Sequence, residues 1–320
     1  MTMLGGSIAG VEIILSKDAP IDGPDLAPGW VAETIAIWTQ FPARKGILDL
    51  TGRSIAELPE EIFRMRKLET LILNKNMIKQ IPRELAKLSE AGLLRSIECE
   101  DNLLEEVDEE ISTIRSLEKI RFARNLIKTF PSFVNQLYQL LVLDLSENQL
   151  TEIPGAVGNL LFLEELNISH NFIKNLPQPL MNLARLQTLN ISHNQIERIS
   201  PAIANLSRLK NLIIHDNMIE ELPIEMGFLL GVENWKIENN PFTKQPEINE
   251  KQLYQRIDIL NYLRTKMRQI DHLQEQLFNE KDNKYSSFFE TVEGEDKPVL
   301  VGATPEKLVL FLTQVATPGK

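Results

Sequence analysis

The sequence is poor in the features that mark several functional classes. It has one cysteine in 320 residues, Cys99, so an internal disulfide is excluded. No stretch of 18 apolar residues occurs, so nothing reads as a membrane-spanning helix. Positive charge is in deficit, with 34 Lys and Arg against 45 Asp and Glu and a net charge of -11. That balance disfavours nucleic acid and anionic lipid as partners, since both require clustered Lys and Arg. The opening, MTMLGGSIAGVEIILSK, lacks a basic n-region, and Glu12 interrupts its apolar run, which argues against a signal peptide. A cytoplasmic location is expected, and the sequons at Asn167, Asn190 and Asn205 should then stay unmodified. A Ser/His/Asp order, a Gly-rich phosphate loop and Cys/His metal spacing are all missing. The expectation is a protein that is not an enzyme and needs no cofactor or metal.

What the sequence does have is a period. The six letters LNISHN occur at Leu166–Asn171 and again at Leu189–Asn194. They belong to a series of asparagines: Asn76, Asn102, Asn125, Asn148, Asn171, Asn194, Asn217 and Asn240. The first step is 26 residues and the other six are 23. Apolar residues (Cys99 in one turn) stand 8, 5 and 3 places before each Asn, and others stand 2 and, except after Asn240, 5 places after it. Proline often follows, as in Ile81-Pro82, Ile153-Pro154 and Leu222-Pro223. A degenerate earlier turn, GILDLTGRSIAELP, carries Arg53 where the Asn would be. The pattern L-x-x-L-x-L-x-x-N-x-L is the leucine-rich repeat, here in about nine copies. Alternation along a short strand puts positions −5 and −3 inside and −6, −4 and −2 outside. Each turn's apolar face is covered only by its neighbours, so the turns must stack. The Asn amide can bond the backbone of adjacent turns and tolerates unusual backbone angles at the bend. The proline falls on the outer side, where no ladder needs an N–H. The three-residue insertion near LSEAGLL is expected on that convex side.

The expected architecture is therefore α/β: a leucine-rich repeat solenoid with a curved parallel β-sheet on the concave side. A short helical or irregular convex side and helical caps complete it. Residues 1–45 should hold an N-terminal segment and a cap helix, in which Trp30, Ile35 and Trp38 cover the first turn. The repeats span 46–243. In 244–279, Leu253, Ile257, Leu260, Leu263, Met267, Ile270, Leu273 and Leu277 recur at helical spacing. This reads as a capping helix or, alternatively, as a coiled-coil seam. Residues 280–297 read as an acidic linker, since 271–297 holds eight acidic and three basic residues.

Partner-binding residues are expected on the concave face. The −1 column runs Lys75, Asp101, Arg124, Glu147, His170, His193, Asp216, Asn239, and the −4 column includes Glu98, Arg121, Asp144, Asn167 and Asn190. Two rows, Glu98–Arg121–Asp144 and Asp101–Arg124–Glu147, should pair across strands about 4.8 Å apart. They can be read as charge relief or as a polar docking strip, and the second reading is preferred. Glu147, His170, His193 and Asp216 offer donors for Zn²⁺. Ser-His-Asn, however, commonly fills this exposed turn, and strand spacing alone does not assemble a tetrahedron, so no metal is expected. The flanking carboxylates should raise the histidines' pKa values. Cys99, at −3 with Leu73, Phe122 and Leu145, should be buried and inert.

The lines LNKNMIKQIPRELAKL, LSENQLTEIPGAVGNL and ISHNFIKNLPQPLMNL resemble the Ras-associated leucine-rich repeat family, and NPFTKQPEI…ILNYLR is similar to its closing turn and cap helix. The likeness covers roughly 46–265. It implies a non-catalytic adaptor for small GTPases, kinases, phosphatases or cytoskeletal proteins. A second stretch, PVLVGATPEKLVLFLTQ (298–314), resembles the start of the N-terminal module of Ras guanine-nucleotide exchange factors, so 298–320 reads as a truncated beginning of such a module. Thr304 suits a helix N-cap and Pro305 the first helical position. The exchange domain is missing from these residues, so no exchange activity is expected of them. The preferred expectation is the repeat-bearing front part of an exchange factor, binding a protein partner such as a Ras-type small GTPase. A standalone adaptor is the alternative, and a metal-dependent enzyme built on the histidine row is a more distant one.

Overall fold

A computed structural model describes residues 46–251 and 256–279 and the strand residues 289–290 and 299–300. Trp30, Ile35 and Trp38, and nearly all of 280–320, lie outside the described residues. The chain divides into two compact units at Leu263/Arg264.

The first unit is an open solenoid. Nine three-residue strands form one parallel sheet whose order follows the chain: Ile47–Asp49, Thr70–Ile72, Ser96–Glu98, Lys119–Arg121, Val142–Asp144, Glu165–Asn167, Thr188–Asn190, Asn211–Ile213 and Asn234–Lys236. From Lys119 onward each residue pairs with the residue one period on, as in Ile120↔Leu143↔Leu166↔Leu189. The middle residue of each strand is buried, from Leu48 through Trp235, because only that side chain points away from the concave face. The −3 residues Leu50, Leu73, Cys99, Phe122, Leu145, Ile168, Ile191, Ile214 and Ile237 are fully buried below them.

The convex side carries eight short 3-10 helices among the described residues. Proline stands at six of their N-caps: Pro59, Pro82, Pro131, Pro154, Pro177 and Pro223. The other two caps are Asp108 and Ser200, whose side chains accept from the N–H two residues on. A turn that lacks the rigid ring thus supplies a side-chain cap instead. The 26-residue step is absorbed on this side. Arg83–Ala91 has nine residues where its counterparts have five, and it ends on Gly92 at φ 62°.

The Asn ladder is built as expected. Asn148 Nδ2 donates to the carbonyls of Phe122, Leu145 and Ser146 at 2.9, 3.1 and 3.1 Å, and its Oδ1 accepts from Ile127 N at 3.0 Å. Asn171, Asn194, Asn217 and Asn240 repeat this pattern one turn later each. Asn76, Asn102 and Asn125 bond the turn before them in the same way. One expectation is corrected. The left-handed bend belongs to the residue before each Asn, whatever its side chain. Lys75, Asp101, Arg124, Glu147, His170, His193, Asp216 and Asn239 all have φ between 51° and 57°. Such a conformation costs about 1–2 kcal/mol for an L-residue, and the buried amide next door over-determines it.

The last turn is closed by Phe242 and Ile248 and by Ile259, Leu260 and Leu263 of the α-helix Arg256–Asn279, all buried. In the second unit, Phe289–Glu290 pairs antiparallel with Val299–Leu300, so a strand lies within the stretch expected as linker.

Candidate functional site

The strand face opposite the core is lined by the −6, −4 and −1 side chains. The −2 serines, expected to point out, are buried: Ser146, Ser169 and Ser192 are 3–5% exposed. Their hydroxyls are donated to the −4 residue. Ser146 Oγ bonds Asp144 Oδ1 at 2.6 Å, Ser169 Oγ bonds Asn167 Oδ1 at 2.8 Å, and Ser192 Oγ bonds Asn190 Oδ1 at 2.8 Å. Each pair closes a local turn that ends the strand. Asn167 Nδ2 also donates to Asp144 Oδ2 at 3.1 Å, which links neighbouring turns.

The two charged rows differ. In the −1 row, Arg124 is gripped by three carboxylates: Asp101 at 2.6 Å, Glu100 at 2.8 Å and Glu147 at 3.4 Å. These neighbours, led by the Asp101 hydrogen bond, drive its pKa further up. Glu100, at a −2 position, was not anticipated. In the −4 row, Glu98, Arg121 and Asp144 are strand partners in register. The expected pairing is not made, however. Glu98 lies 3.7 Å from Lys119 Nζ, Asp144 is occupied by Ser146 and Asn167, and among the described residues no ion pair involves Arg121. Both columns make contacts between turns: Arg124 reaches Asp101 and Glu147 in the −1 column, and Asn167 reaches Asp144 in the −4 column.

The histidines are also rearranged. His170 stacks on His193, with centroids 3.9 Å apart and planes at 16°. His193 meets His215 edge-on at 5.0 Å. Asp216 Oδ2 lies 3.5 Å from His193 Nε2 and is hydrogen-bonded to His215 Nδ1. Asp216 Oδ1 accepts from Asn239 Nδ2 at 2.9 Å. Glu147 turns instead to Arg124. The expected rise in pKa is reversed at His193. Desolvation and the neighbouring His170 and His215 hold it below the usual 6.5, against the pull of Asp216. Asp216 is itself held below 3.8, chiefly by the His215 hydrogen bond. His215, one residue before Asp216, and Asn239, next in the −1 column, join the cluster where the four-member row had placed Glu147. The turn LIIHDN carries a signal for them: its His has moved from −1 to −2, and an acid takes the −1 place.

Cys99 is fully buried as expected, and burial pushes its thiol far above the usual range.

Comparison with known proteins fits this geometry. Residues 162–219 and 139–160 each match a family model described as leucine-rich repeat. No curated protein matches the chain. Among solved structures, a leucine-rich repeat protein of Leptospira interrogans is 32% identical with a TM-score of 0.59, over 60% of this chain and 48% of that one. The plant peptide hormone receptor RGFR1, solved in complex with RGF2, is 26% identical with a TM-score of 0.53, over 57% and 30%. The leucine-rich repeat ectodomain of the membrane receptor kinase GASSHO1/SCHENGEN3 from Arabidopsis thaliana, solved with CASPARIAN STRIP INTEGRITY FACTOR 2, is 26% identical with a TM-score of 0.51, over 57% and 26%. The chain spans less than half the length of each of these three. No helix among the described residues is long and apolar enough to cross a membrane.

Proposed function

We propose that this leucine-rich repeat solenoid is a non-catalytic scaffold that holds a protein partner on its concave sheet face, in the cytoplasm and in Ras-type small GTPase signalling. Leucine-rich repeat proteins are typically interaction modules, and two of the solved relatives are complexes with a named partner. The observation that carries the reading is the state of Arg121. It stands at the end of a central strand, half-buried, with acidic strand partners on both sides and no ion pair among the described residues. A guanidinium held in a rigid sheet without a carboxylate is ready for one brought by a partner, in bidentate geometry. Around it, Glu98, Asp101, Arg124, Asp144, Glu147, Asn167, His170, Asn190, His193 and Asp216 form the rest of the proposed surface.

The 23-residue turns with their Leu-Pro and Ile-Pro steps support the Ras-associated assignment. The segment around Thr304 and Pro305 supports placement at the front of a guanine-nucleotide exchange factor. The test is direct binding of the purified chain to a panel of Ras-type GTPases, each loaded with GDP or a GTP analogue. Binding to at least one of them, weakened at least tenfold by Arg121→Glu/Arg124→Glu, is expected. Binding that the double substitution leaves unchanged removes the docking strip, and no binding to any GTPase removes the Ras assignment.

A further inference from the structure

Two imidazoles from adjacent turns converge on one carboxylate oxygen. Asp216 Oδ2 faces His193 Nε2 at 3.5 Å and His215 Nδ1 at 2.5 Å. One donor atom from each of the three lies within 4.8 Å of the others. The carboxylate is also oriented from behind. Asn239, one turn further on, donates to Oδ1 and leaves Oδ2 for the imidazoles. A polar partner that fixes a ligand's plane is the usual outer layer of a metal site.

The backbone beneath is held as firmly. Asn194 bonds the carbonyls of Ile191 and Ser192, and Asn217 bonds those of Ile214 and His215. His170 meets His193 face to face rather than through a ring nitrogen, so it orients that ring without competing for the same ion.

The geometry points to a transition-metal site on the concave face, in which His193 Nε2, His215 Nδ1 and Asp216 Oδ2 ligate one divalent ion of the zinc class. Two imidazoles and a carboxylate suit Zn²⁺, Ni²⁺ or Cu²⁺, whereas Ca²⁺ and Mg²⁺ call for all-oxygen shells. Tetrahedral zinc ligands at about 2.0–2.2 Å stand about 3.3–3.5 Å from one another. The His193–Asp216 separation already meets that spacing. The His215–Asp216 pair has to open by about 1 Å, which a side-chain rotation supplies. Three protein donors leave at least one coordination position facing the open groove, for water or for a donor side chain of a bound protein. The inference concerns binding alone, and it stands apart from the docking surface because it is measured with no partner present.

The chelator-treated 320-residue chain is titrated with Co²⁺ and then Zn²⁺. One equivalent of Co²⁺ should give visible d–d bands that one equivalent of Zn²⁺ abolishes and Ca²⁺ or Mg²⁺ does not. His193→Ala, His215→Ala and Asp216→Ala should each weaken binding at least tenfold. Asn239→Ala should weaken it by about 10- to 100-fold. His272→Ala, which removes the one histidine outside the row, should leave it unchanged. An independent reading needs no variant: Zn²⁺ should shift the ring resonances of His193 and His215 in the wild-type chain and not those of His272. A chain without the cobalt spectrum, binding that survives His215→Ala and Asp216→Ala, or a shift confined to His272 would overturn the site.

Discussion

His170 lies flat on His193, ring on ring at 3.9 Å, so the two imidazoles cannot both carry charge without facing each other across that gap. The consequence is a titration. His193 is held below 6.5 by burial and by His170, while Asp216 pulls the other way. Its ring signals in the metal-free chain should therefore titrate below the usual 6.5. His170→Ala should move the midpoint up by removing the like-charged neighbour, and Asp216→Asn should move it further down. The sign for stability follows from a folded pKa below the unfolded one. This group's contribution is fully present above pH 6.5 and is lost as the pH falls through the folded value. Proton NMR of the imidazole resonances in the three proteins checks the ordering. A midpoint at or above 6.5 in the wild type would contradict it.

The second expectation concerns the ladder. Asn148→Ala removes the only side chain that bonds the carbonyls of Phe122, Leu145 and Ser146 and the N–H of Ile127 together. The Ile127 N–H is left stranded, at about 1–3 kcal/mol, and the three carbonyls each lose one bond while keeping Asn125 Nδ2, Asn171 Nδ2 and the Arg124 N–H. The net loss should be about 2–4 kcal/mol in urea denaturation. Asn148→Asp keeps the shape but turns a carboxylate onto three carbonyl oxygens, which raises that carboxyl's folded pKa. Its damage should therefore grow as the pH rises from 4 to 8.

The fold was legible because each letter of the period answers one backbone need. Leucines at −5 and −3 fill the inside, and an amide ties adjacent turns together. The candidate site was less so, because equal spacing in sequence does not mean equal pairing in space. Arg121 and Arg124 are both flanked by acids one period away. Only Arg124 pairs with them, while Asp144 beside Arg121 is taken by a serine two residues on and by Asn167 of the next turn. His215, which the sequence places one residue before Asp216, stayed outside the expected row for a related reason. Its column holds buried serines in the three turns Ser146, Ser169 and Ser192, and nothing in a period count says that a histidine there will reach Asp216.

On the convex side, Gly158 permits a close approach between the 3-10 helices Gly155–Asn159 and Gln178–Asn182. A Cβ at that position would lie 2.5 Å from Pro179 O and 2.6 Å from Pro179 Cβ. The backbone would have to shift, so Gly158→Ala should cost about 1–3 kcal/mol. Gly155, three residues earlier, has room, its nearest neighbour being Pro179 Cγ at 3.6 Å. Gly155→Ala should be neutral or gain up to about 1 kcal/mol by restricting the unfolded chain. Thermal melts of the two variants should move in opposite directions or differ by several degrees.

Cys99 tests the same core from within. It fills an inward position between Leu73 and Phe122 of the neighbouring turns, and burial pushes its thiol far up. The thiolate is the reactive form, so the native chain should resist a thiol reagent. Labelling should proceed only as fast as the repeats around Cys99 open. Increments of urea below the main transition should accelerate it, and Asn102→Ala or Asn125→Ala, which loosen the turns on either side, should do so without urea. Fast labelling of the native wild-type chain would mean that this −3 position is open to solvent, against the stacking of the turns that bury it.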